Sequence, residues 1–172
     1  MHPLVVHFPI ALLLIAPVFI ALAMVWRSRA SGLVFSAFVL TLIGAAFAVL
    51  STATGNAAEK FAEAVPAAGV VLERHEELAE LARNLSIGSA IVVGIAAVVA
   101  VRWQAFARPA PRVFTCGVLL IVSAVPAVVL ANAAHEGGRL VHEFGVRAPL
   151  AGATVAASVP AAVQQPRDHD AD

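Results

Sequence analysis

Four long apolar stretches with no acid inside them dominate this sequence, at about residues 4–26, 33–51, 85–103 and 113–134. Each approaches the roughly 20 residues that an α-helix needs to cross the hydrocarbon core of a bilayer. Inside that core every backbone donor and acceptor must be satisfied within its own segment or in a closed barrel. The stretches lack the alternation of barrel strands, so helices are expected. Composition agrees, since 60% of the 172 residues are hydrophobic and 13% charged, against roughly 45–50% apolar in an ordinary soluble domain. The expected fold class is all-α: an integral membrane four-helix bundle occupying residues 1–147 as one domain. A short amphipathic helical segment at about 67–84 should lead into the third span, and residues 148–172, with Pro160, Gln164, Gln165, Pro166 and an acidic end, read as a flexible tail.

Charge sets the expected orientation. The first stretch has no basic run before it, is long, and lacks a convincing cleavage site, so it reads as a membrane span and not as a signal peptide. Arg27 and Arg29 follow it, and Arg102, Arg108 and Arg112 separate the third and fourth stretches, whereas all eleven acids lie in the central and C-terminal polar segments. The positive-inside rule then puts the two arginine loops in the cytoplasm and both termini, with residues 52–84, outside. A multi-pass protein of a bacterial inner membrane, N-out and C-out, is the localisation expected.

That orientation places all six histidines, His2, His7, His75, His135, His142 and His169, at or beyond the outer boundary. Histidines avoid lipid, which explains part of the pattern; helical phase says more. Glu73, Glu76, Glu77 and Glu80 form one face of the segment before the third span, and Val71, His75, Leu78, Ala82 and Leu85 form the opposite, inward stripe. Carboxylates at these spacings repel one another, so the glutamate face reads as solvated and not as a metal site. After the fourth span comes Asn132, His135, Glu136, Gly137, Gly138, Arg139, His142. A continuous helix would put His135 and His142 on one face, whereas the paired glycines equally fit a helix stop. At the N-terminus, His2-Pro3 and His7-Phe8-Pro9 flank the mouth of the first span, with Pro9 either starting the helix or kinking it.

These residues resemble a family of bacterial membrane proteins, domain of unknown function 2231. The hallmark is a His-Pro then Val-His-Phe-Pro opening, here His2-Pro3 and Val6-His7-Phe8-Pro9. The likeness continues through Thr54-Gly55, His75-Glu76, His135, Gly137-Gly138-Arg139-Leu140-Val141 and Gly145. It implies the four-span fold and marks the histidines but implies no activity. At the position of His142 the relatives more often carry tyrosine, which makes it the weakest ligand candidate.

Three function classes stay open. The first is a b-type haem protein carrying electrons at the outer face, with cofactor ligands drawn from His2, His7, His75 and His135 and with Arg139 and Arg74 facing the propionates. Covalent c-type attachment is excluded, because the only cysteine is Cys116. The second is a transition-metal site built from the same histidines with Glu76 or Glu136. The third is a membrane subunit that docks a partner. The partners expected are the lipid bilayer and, for the haem reading, a c-type cytochrome or other redox protein. Nothing resembles a phosphate loop, a Ser-His-Asp set or a basic groove, so nucleotide, hydrolase and nucleic-acid functions have no support.

Overall fold

The computed structural model describes residues 2–63, 65–103 and 108–146. Within them the chain forms four helices, α1 His2–Val25, α2 Ala30–Glu63, α3 Gly69–Trp103 and α4 Pro109–His142. One-turn 3-10 helices at Arg27–Arg29 and Pro66–Ala68 join α1 to α2 and α2 to α3. There is no strand among the described residues. Each of the four helices contains a stretch long and apolar enough to span a membrane. The all-helical, four-span architecture read from the sequence is the one the chain adopts.

The helices run past the expected spans. The segment at 67–84 is not a separate helix; it is the first half of α3, because nothing between Pro66 and Trp103 breaks the ladder. Two glycines interrupt that run only compositionally, since Gly88 and Gly94 both stay helical. Likewise α2 continues beyond Ser51 through Thr54 and Gly55 to Glu63. At its N-terminus α4 begins on Pro109, at a first-turn position where the missing amide hydrogen costs no internal bond. At its other end α4 passes through Gly137 and Gly138 and stops only after His142, where Gly145 takes φ 66°. The expected tail at 148–172, with His169, lies outside the described residues.

The interior is narrow and made of small side chains. Ala16, Ala23, Ala30, Ala37, Ala97 and Ala100 are all buried, together with Leu13, Ile20, Val34 and Val93. Small residues bring helix backbones close, the packing mode available where lipid removes the hydrophobic drive between helices. Large apolar side chains such as Ile91, Ile95, Val98 and Ile121 face outward, as lipid contact requires. Antiparallel register is fixed by specific contacts. Phe8 stacks on Phe47 with ring centroids 4.8 Å apart. Leu13 fills the place of a side chain at Gly44, and Phe38 fills the place of one at Gly94. Each helix packs on the next, and α1 closes the ring against α4. One end of the bundle therefore carries Arg27, Arg29, Arg102, Arg108 and Arg112, and the other carries His7, His75 and His135.

Candidate functional site: the histidine end

Among the histidines whose side chains are described, His75 is half-buried, whereas His7, His135 and His142 are exposed. His75 lies on the stripe with Val71 and Ala82, both buried, because positions four and seven apart share a helical face. Its Nδ1 lies 2.7 Å from the carbonyl oxygen of Ala133 on α4. A carbonyl only accepts, so Nδ1 carries the proton and donates. In the neutral ring Nε2 then keeps its lone pair. The Ala133 oxygen has a second lone pair for the helical bond from Gly137.

Gly137 is what allows this approach. A Cβ there would sit 3.0 Å from Cε1 and 3.2 Å from Nδ1 of His75, too close for an undisturbed ring. Its neighbour Gly138 has open space at the same position. The first glycine is thus a seat for the imidazole, and the second is not.

Beside that seat Glu136 is buried and paired from two directions. Arg74 Nε approaches Oε1 at 3.4 Å from α3, and Arg139 Nη1 meets Oε2 at 2.8 Å from one turn along α4. Arg139 Nε also reaches Glu143, at 3.1 and 3.2 Å from its two oxygens. Arg74 and His75, adjacent in sequence, therefore both fasten α3 to α4. Of the glutamate face, Glu73, Glu77 and Glu80 are exposed and Glu76 is half-buried.

The remaining marked residues are spread around this centre. His7 is exposed on α1, between the Phe8 to Phe47 stack and the chain start. Carrying the contacts of Phe8 with Phe47 and of Phe38 with Gly94 through the bundle puts His7 level with about Arg83 of α3. That is roughly two turns, or about 12 Å, deeper than His75. His135 and His142 share an exposed face of α4. His2 opens α1, and its side chain is outside the described residues. Thr54, inside α2, donates its hydroxyl to the carbonyls of Leu50 and Ser51. Among the described residues no three His, Cys, Asp or Glu side chains converge on one point.

Glu136 and Gly137 matter more than sequence reasoning indicated. Glu136 appeared there as an optional metal ligand and the glycine pair as either a helix stop or a place of close backbone approach, whereas the fold makes Glu136 an ion-pair hub and Gly137 a ring seat. The signal was available only as the coincidence of Arg74-His75 on one helix with Glu136-Gly137 on another. At the opposite end Arg112 is buried in the first turns of α4, and its Nε and Nη1 have no hydrogen-bond partner among the described residues. Cys116 is buried one turn further in, within the alanine-rich core.

No curated protein and no solved structure matches this chain significantly. The family model of predicted membrane proteins termed DUF2231 matches residues 1–149, so the four spans and both sides of the His75 seat fall within it. The chain belongs to the DUF2231 family of predicted membrane proteins.

Proposed function

We propose that this membrane protein is a b-type haem protein that passes electrons at its histidine end, with His75 Nε2 as an axial ligand. The observation that carries the reading is the 2.7 Å bond from His75 Nδ1 to the Ala133 carbonyl. A backbone carbonyl bonded to one ring nitrogen is a usual way for a protein to orient a histidine whose other nitrogen binds a metal. Free rotation of the ring is stopped by its seat on Gly137.

The distribution of donors favours haem over a bare metal ion. His75, His7 and His135 lie on three different helices, and among the described residues no three His, Cys, Asp or Glu side chains gather in one place. A tetrapyrrole supplies four of its iron's ligands and asks the protein for one or two, whereas zinc and similar ions need three or four protein donors gathered together. His135 and His2 are the candidates for a second axial position, since His7 lies about two turns deeper along the bundle than His75. Arg139 is partly exposed and holds Glu136 and Glu143; on this reading it would exchange one of these bonds for a propionate.

On this reading the histidine end faces away from the cytoplasm, because the arginine end obeys the positive-inside rule. Exposed Glu73, Glu77 and Glu80 would then attract a cationic redox partner such as a c-type cytochrome, in a salt-dependent way. The test is to produce the full chain with ample haem, purify it in detergent and record its absorption spectrum with the metal content. One haem per chain with a Soret band is expected, and its loss in His75→Ala. A stoichiometric transition metal without a Soret band would replace haem by a metal site. Protein free of any cofactor after such production would leave a docking subunit.

A further inference from the structure

The arginine end offers a site unrelated to the histidines. An outward-open apolar groove of about 1030 Å³ runs along the seam between α2 and α3 and ends at Arg102. Phe35 and Phe38 of α2 form one wall, and Ile91 and Val98 of α3 form the other. Gly94 lines the groove between these walls. A Cβ there would lie 2.7 Å from Cε2 of Phe38, so the aromatic ring rests directly on the α3 backbone.

Length and charge together point to one occupant. The lining residues on α3 extend from Ala90 to Arg102, about 18 Å at 1.5 Å per residue. One leaflet of a bilayer contributes roughly 15 Å of hydrocarbon, half of the total core. Arg102 is exposed at the groove's end and closes the apolar span of α3. No acid lies in residues 1–58 or 81–135, so none on this end of the chain competes for its guanidinium. Arg29 is placed over the Trp26 ring at 5.7 Å, away from that role.

We propose that this groove binds one anionic phospholipid of the adjacent leaflet, an acyl chain lying along Gly94 and Phe38 and the phosphate meeting Arg102. A guanidinium and a phosphate form charge-assisted, often paired, hydrogen bonds, which are strengthened where hydrocarbon excludes water.

The test uses the full chain in neutral detergent and native mass spectrometry, titrating palmitoyl-oleoyl phosphatidylglycerol, the matching phosphatidylcholine, or glycerol 3-phosphate. Phosphatidylglycerol should be retained at concentrations about tenfold lower than phosphatidylcholine, the least expected of a hydrogen bond to a charged group. Arg102→Gln, a surface change that leaves the packing intact, should abolish that difference. Gly94→Leu should weaken retention of both lipids, and Arg27→Gln should change neither. Equal retention of the two lipids, or an Arg102→Gln chain that still prefers phosphatidylglycerol, would overturn the proposal. So would an equal loss in Arg27→Gln, which would make the effect a diffuse field. Glycerol 3-phosphate bound as firmly as the lipid would assign the site to a free anion, and a lipid-independent dimer disrupted by Gly94→Leu would assign the groove to a second copy.

Discussion

Two adjacent glycines should respond in opposite directions to the same substitution. Gly→Ala within a helix removes backbone freedom from the unfolded chain and ordinarily stabilises by about 1 kcal/mol. At Gly138 an added Cβ meets nothing within 4 Å, so that gain should appear in full. At Gly137 the same Cβ would lie 3.0 Å from His75 Cε1 and 3.2 Å from Nδ1. The ring must then move, and its bond to the Ala133 oxygen is lost or lengthened. Overpacking costs about 1–3 kcal/mol, and a lost hydrogen bond about 0.5–1.5 kcal/mol. Set against the propensity gain of about 1 kcal/mol, the net effect is destabilisation by about 0.5–3.5 kcal/mol. Thermal unfolding of the two variants in the same detergent reads the difference directly. For a chain of this size a change of 1 kcal/mol corresponds to about 2–4 °C. Gly138→Ala should melt a few degrees above the parent protein, and Gly137→Ala a few degrees below it. Equal stabilisation of both would refute the close seating of His75.

Further expectations rest on other features. Arg112→Met should stabilise the protein in neutral detergent by about 1–3 kcal/mol, because it removes buried nitrogens that lack partners at the cost of little volume; a lower melting temperature would show that the guanidinium holds something. Glu136→Gln should lower the melting temperature more than Glu143→Gln does, since the Glu136 side chain is 11% exposed and paired with two arginines, whereas that of Glu143 is 53% exposed and paired with one. Equal losses would show that burial adds nothing to that hub. Reporter fusions at Ser31 should read as cytoplasmic and fusions at Ala67 as external, and an external signal from Ser31 would reverse the proposed orientation.

Helix type and number were legible because each span is a local property of its own stretch, requiring nothing from the rest of the chain. The inward placement of His75 was legible for a similar reason, as it needed only the phase of Val71, Ala82 and their neighbours. Helix ends were less so. The hydrophobic runs end near Ser51 and Ala134, but the helices continue wherever no residue stops them. For α4 even Gly137 and Gly138 fail to do so, because the His75 ring and the Glu136 ion pairs hold that turn. Pairing between helices was the least legible. Arg74 with Glu136, and His75 with Ala133 and Gly137, are separated by about sixty residues of sequence and meet only through the antiparallel register of α3 and α4. Arg112 shows the same limit from the other side. A loop arginine by hydropathy, it is buried because α4 starts at Pro109 and carries it inward.

The most direct test of the haem assignment is the spin state of the iron in a His75→Gly variant, recorded with and without added imidazole. The parent protein should show a low-spin spectrum with one haem per chain. His75→Gly, if His75 Nε2 is a ligand, should lose haem or turn high-spin, and free imidazole should restore the low-spin form, since the small molecule can occupy the space the side chain leaves. A variant that keeps the parent's low-spin spectrum without imidazole would contradict the account, because the histidine held by the Ala133 carbonyl would then not be the one that binds the iron.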